Sequence, residues 1–467
     1  MPEDENGSVP ESPEFPPLPA PAEAEPVPRR RRRRAVAGVA VLVLIGAVAA
    51  VALPRIFTGR AAVSAAPPSA HPLASASAPT PVPGGPLYPP QPTATAPGDQ
   101  AAWALQWQAG AVAEGNEAKW MAAVDPGQPK LQARYRNVFR TLRALGSTQV
   151  EYTPSIGKAD RKDPSALVIP VDMYYCYGTD TCGGGGVDPP RVRQALTMKE
   201  IGGHWLIVGV AADPAPEEFD PAPWEDGTLV VSQGSRVTVA AEPSETKYLA
   251  QVLPLAEKAA ATNDPFAATL HAEQKRFRVF LAGEKQWHRW YGGDDTKWVV
   301  GMSVPINQYG FDVVLRVRSL HTVTETQVTL QHEFGHVITL YGAQGSRARD
   351  KWLAEGVAEY IGWSPRPAAG SMRRSSVRWQ IARKRPATMI PKDPGANASV
   401  RAGDAYYGLS HFAVDCMATV YGRDKMFRFV REVLVHSETY DVAAHDAYGI
   451  GFAKVDKTCT GWIRSHA

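Results

Sequence analysis

Two histidines four residues apart, His332 and His336, with Glu333 directly after the first, constrain this chain more than any other feature. Residues four apart lie on one face of a helix, so both imidazoles can point at a single metal ion. The surrounding text, TETQVTLQHEFGHVITLYG, reads as such a helix. Val328, Leu330, Phe334, Val337 and Leu340 supply apolar positions around the polar face, and Gly342 is a plausible stop. Glu333 is one step along, close enough to reach a water held by that ion. A catalytic zinc needs a third protein ligand and an open fourth position. The next helical text, WLAEGVAEY, offers Glu355 after 18 intervening residues, as expected of an antiparallel second helix bringing a carboxylate to the same ion.

HEFGH, 18 residues, then WLAEGVAEY resembles the gluzincin peptidases, and among them the peptidase MA-like group related to the membrane aminopeptidases. The resemblance spans residues 240–435, though only the text around the motifs is specific. It implies Zn2+ held by His332, His336 and Glu355, with Glu333 as general base. Glu359, four residues after Glu355 on the same helix face, is the natural acceptor for the second ring N–H of His332. The implied chemistry is hydrolysis of a peptide bond by a zinc-activated water whose proton passes through Glu333 to the leaving amine. Related enzymes add a tyrosine on a later helix to steady the oxyanion. In DAYYGLSHF the family pattern selects Tyr406, with Tyr407 and His411 as rivals. Two departures stand out. The GxMEN motif that anchors a substrate's free N-terminus in the membrane aminopeptidases is absent, which leaves endopeptidase and exopeptidase open. Ala354 also stands where many relatives have Asn.

The N-terminal quarter carries the topology. Residues 1–34 are Pro-rich and acidic, cannot build a core, and end in the run Arg29–Arg34. An uncharged apolar stretch, Ala35–Leu53, abuts the arginines, giving a predicted membrane helix over 35–54. The arginines should stay on the cytoplasmic side, so the rest of the chain lies outside the cell membrane. A cleaved signal peptide fits less well because the leader before the apolar stretch is 34 residues long. Residues 55–98, rich in Pro, Ala and Ser, read as a semi-extended spacer.

Beyond the spacer the expected fold class is α+β in two domains. Residues 99–225 give two helical texts and then a strand meander, in an order that weakly resembles the cystatin-like cone of nuclear transport factor 2-like domains. Residues 226–467 give strands first and helices later, the order of a zincin-type metallopeptidase domain. The stretch around Lys297–Pro305 reads as an edge that an extended peptide can pair with. Cys176 with Cys182, and Cys416 with Cys459, read as two disulfides, in keeping with an external location. The net charge of +3 is concentrated locally, and the folded part has no nucleic-acid surface. The expected partners are a peptide or protein substrate and a lipid bilayer. The competing readings are a surface-binding module with an inactive or gated peptidase-like domain, and a zinc hydrolase acting on a non-peptide bond.

Overall fold

The computed structural model describes Tyr88 and residues 96–467, except 181, 183–186, 212–219, 226–227 and 344–347. The predicted tail 1–34, the membrane segment 35–54 and most of the spacer 55–98 lie outside the described residues. Among the described residues no helix is long and apolar enough to cross a membrane. All of them belong to one compact unit.

The chain is α+β. It begins with α1 (Pro97–Glu114), α2 (Glu117–Ala122) and α3 (Pro129–Ala144). Asn116 caps α2 by accepting from the Lys119 amide at 3.0 Å. Then come β1 (Ser147–Pro154), β2 (Lys158–Ala159), β3 (Ala166–Tyr177), β4 (Arg191–Ile201) and β5 (His204–Ala211). They pair antiparallel in the order β1-β3-β4-β5, with β2 on β3. Along β3 buried and half-buried residues alternate, the period of a sheet with one face on the core. That core is aromatic: Trp120, Tyr135, Tyr152, Tyr175 and Trp224 are buried in it. The space left beside Trp120, Tyr135 and Tyr152 is about 10 Å³, too little for a ligand.

A second sheet follows: β6 (Val230–Gln233), β7 (Val237–Ala241), α4 (Leu249–Leu270), β8 (Phe277–Ala282), α5 (Glu284–Trp287), β9 (Gly301–Pro305) and β10 (Phe311–Arg316). Its order is β6-β7-β8-β10-β9. The three central strands run parallel, and the two edges, β6 and β9, are antiparallel to their neighbours. Every residue of β8 and β10 is buried, as happens when both faces of a sheet are covered. Alternation divides the two faces. Phe277, Val279, Leu281, Val313 and Leu315 face the helices that follow. Phe280, Ala282 and Val314 join the aromatic cluster of the first sheet. Burying a ring such as Phe280 contributes roughly 1.5–3 kcal/mol. The sheet that leads to the candidate site is thus clamped between the N-terminal layer and the C-terminal helices.

Those helices are α6 (Val323–Thr339), α7 (Lys351–Gly362), α8 (Arg374–Arg383), α9 (Val400–Tyr421), α10 (Arg423–Leu434), α11 (Tyr440–Tyr448) and α12 (Phe452–His466). Phe334 of α6 stacks on Phe277 of β8, centroids 4.0 Å apart, which fixes the helix against the sheet. Both disulfides are present. Cys176–Cys182 closes a short loop after β3, and Cys416–Cys459 ties α9 to α12.

Candidate metal centre

The spacing in the sequence becomes geometry on α6 and α7. Thr322 caps α6 by accepting from the Glu325 amide at 3.1 Å, and the helix then carries His332, Glu333 and His336 unbroken. Helix α7 brings Glu355. His332 Nε2 and His336 Nε2 lie 3.1 Å apart, and Glu355 Oε2 is 3.3 Å from each. A tetrahedral ion with arms of 2.0–2.1 Å has edges of about 3.3–3.4 Å, so the three donors already sit on one face of such a tetrahedron. Two neutral imidazoles and one carboxylate are a donor set that zinc accepts. The residues present therefore fit a metal ion.

Electrostatics around the donors is tight. His332 Nδ1 stands 3.0 Å from Glu359 Oε1. Glu359 is fully buried, and its Oε2 accepts from Arg373 Nε at 2.8 Å and from Trp363 Nε1 at 3.1 Å. Burial disfavours the His332 imidazolium, but Glu355 and Glu359 outweigh it and hold the proton on, up to about pH 10 in the metal-free protein. Burial also opposes ionisation of Glu355 and Glu359. The histidines around both, with Arg373 beside Glu359, win and keep both carboxyls well below the usual range. Glu333 goes the other way: burial raises it, against the pull of His332, His336 and Ser303. A buried carboxylate with a raised pKa beside a metal site is suited to taking up a proton.

The donors open onto a cavity of about 330 Å³. Its wall includes His332, Glu333, His336, Glu355 and Tyr407, with Gly301, Met302 and Ser303 of the edge strand β9 opposite. The Ser303 hydroxyl lies 2.8 Å from both the Glu333 carboxylate and the Glu333 carbonyl, and donates its one proton to either. The strand can come this close because residue 301 is Gly. A Cβ there would stand 2.5 Å from Glu333 Oε1.

The structure brings together His332, Glu333, His336, Glu355 and Glu359. It separates the three candidates on α9. Tyr406, which the family pattern selects, does not line this cavity; it faces a separate one with Pro391, Asp393 and Leu409. Tyr407 is the tyrosine on the metal side, its ring perpendicular to His332 with centroids 5.8 Å apart. One helical residue turns a side chain by about 100°, and here that step sends Tyr407 to the metal-side cavity and Tyr406 to the other. His411 is fully buried, with both ring nitrogens lacking hydrogen bonds among the described residues. Burial pulls its pKa down to about 4. Ser303 and Arg373 were not legible as site residues. Ser303 belongs to a strand whose register the sequence does not reveal, and Arg373 lies 14 residues past Glu359 with no periodicity linking them. No protein-family profile matches the chain, and no curated protein aligns with it significantly.

Proposed function

We propose that this protein is a zinc metallopeptidase of the gluzincin kind, anchored by the apolar segment 35–53 with its catalytic unit outside the cell. One observation carries the reading: three zinc-type donors converge at the spacing of a tetrahedral face while Glu333 lines the same cavity beside β9, the edge strand of its sheet among the described residues. The two disulfides agree with an oxidising location.

His332, His336 and Glu355 would hold the ion, and zinc bound there supplies a Lewis acid that activates water near neutral pH. Glu333 accepts the proton of the attacking water and returns it to the leaving amine; Ser303 steers its carboxylate. Tyr407 is placed to donate its phenolic proton to the oxygen of the cleaved carbonyl, and burial keeps that phenol protonated. The free side of β9 can pair with an extended peptide and lay its backbone across the cavity.

The test uses the full chain in detergent with a complex peptide mixture, beside its Glu333→Gln variant, with products read by mass spectrometry. Cleavage by the parent, reduced about 10²–10⁴-fold in a variant that still binds zinc, is expected. Zinc binding without cleavage by either would turn the reading toward a non-peptide hydrolase or a binding module.

A further inference from the structure

Arg373 touches both halves of the candidate machinery. Its Nε donates to Glu359 Oε2 at 2.8 Å, and Glu359 in turn meets His332 Nδ1 at 3.0 Å. Its Nη1 donates to Asp404 on α9, which fixes the plane of the guanidinium. Its Cζ lies over the Tyr407 ring, 4.6 Å from the ring centre. A cation over an aromatic face is attracted to the ring quadrupole, and a planar guanidinium can stack where an ammonium cannot. The side chain is mostly buried, at 21% exposure, so these contacts act in a poorly screened environment.

The local packing serves this placement. Arg373 sits at the start of α8, and α8 lies directly on α9 at Gly408. A Cβ at residue 408 would stand 2.5 Å from Val377 Cγ2 and 3.2 Å from Arg373 Cβ. Only a residue without a side chain lets the start of α8 approach α9 this closely, and that approach puts the guanidinium between Glu359 and Tyr407.

We infer that Arg373 is a positioning residue that couples metal binding to the catalytic tyrosine, orienting His332 through Glu359 and the Tyr407 ring through stacking. The metal half depends only on the donor cluster; the tyrosine half rests on the peptidase reading. Arg373 has two separable properties. Its charge and its Nε–H hold the Glu359 carboxylate in place beside His332. Its planar fork holds Tyr407 and Asp404.

The two are separated with Arg373→Lys and Arg373→Met in the full chain. Zinc affinity is measured by chelator competition on metal-stripped protein, and the visible spectrum is recorded after cobalt substitution. Turnover and KM are then measured at saturating zinc. Arg373→Met should weaken zinc about tenfold, in the range for groups that orient a ligand histidine, and shift the cobalt bands. Arg373→Lys should recover most of the zinc affinity yet leave kcat reduced about tenfold at unchanged KM, because the ammonium cannot stack. Should Arg373→Met fail to fold, Gly408→Ala displaces the same guanidinium without leaving Glu359 buried beside no cation, and should lower kcat in the same way. Parental zinc affinity and cobalt spectrum in both Arg373 variants would overturn the metal half. Parental kcat in Arg373→Lys would overturn the tyrosine half. If the parent binds zinc and cleaves nothing, the peptidase reading fails while the affinity and the spectrum still decide the role of Arg373 at the metal.

Discussion

Two buried clusters of charge among the described residues are built differently. One, centred on Arg278, lies between the N-terminal layer and the second sheet. Arg278 bonds Asp312 at 2.7 Å, Asp180 at 2.9 Å and the Phe311 carbonyl at 3.1 Å, and its guanidinium lies 4.1 Å from the Tyr177 ring centre. Tyr291 donates to the remaining oxygen of Asp312 at 2.6 Å. The charges there are spent on each other, Arg278 pairing with both Asp312 and Asp180. The other cluster, on α6 and α7, turns three donor atoms toward one point and opens onto a cavity. Its outer member Arg373 donates to Glu359 and Asp404, while its inner members, His332, His336 and Glu355, bring their donor atoms within 3.3 Å of one another at the cavity wall. Burial of charge therefore does not by itself mark a functional site. What sets the candidate site apart is the convergence of donors on an accessible space.

Breaking the two clusters should have opposite consequences. Arg278→Met leaves Asp312 and Asp180 buried without their cation, and should destabilise the fold by about 3–5 kcal/mol. Chemical denaturation measures this, and zinc affinity per folded molecule should stay at the parental value. A stability loss confined to a fraction of that would mean the Arg278 cluster is not the joint between the layers.

The α9 tyrosines sharpen the functional side. Tyr407→Phe should lower kcat about 10²-fold with zinc still bound, the scale of removing one oxyanion donor, whereas Tyr406→Phe should change it less than about twofold, as for a residue making no contact specific to the transition state. Steady-state kinetics on one peptide substrate decides between them. The reverse order would restore Tyr406, and with it the family pattern over the observed geometry.

A pH effect separates the metal-free from the metal-loaded protein. His332 without metal holds its proton up to about pH 10, above the ordinary imidazole value of 6.5. Its stabilising contribution is therefore fully present below about pH 6.5 and is lost as pH rises through about 10. Stripped protein should lose thermal stability from pH 7 to pH 10 for this reason, and zinc-loaded protein should not, since the metal replaces the proton. Zinc affinity should rise about tenfold per pH unit over that interval as one proton ceases to compete. Melting curves and competition titrations at several pH values check both.

Much of the site was legible because its signals are local. The pairing of His332 with His336 and of Glu355 with Glu359 follows from the helical repeat alone, and the strands of both sheets follow from apolar runs bounded by turns such as Gly202-Gly203, whose φ angles are +59° and +80°. The pairing of Cys176 with Cys182 was legible from their proximity in sequence, and that of Cys416 with Cys459 from their sharing the C-terminal domain. Nothing local distinguishes Tyr406 from Tyr407, since both lie in the same apolar helix text, and the choice falls to how α9 is rotated where it packs on α7 and α8. Arg373 and Ser303 reach the site only through the crossing of α8 on α9 and the register of β9 on β10. The sequence by itself determined which residues can share a helix face, because a helix repeats every 3.6 residues whatever surrounds it. Only the tertiary structure decided which faces meet, because packing distances and strand register depend on side chains far apart in the chain.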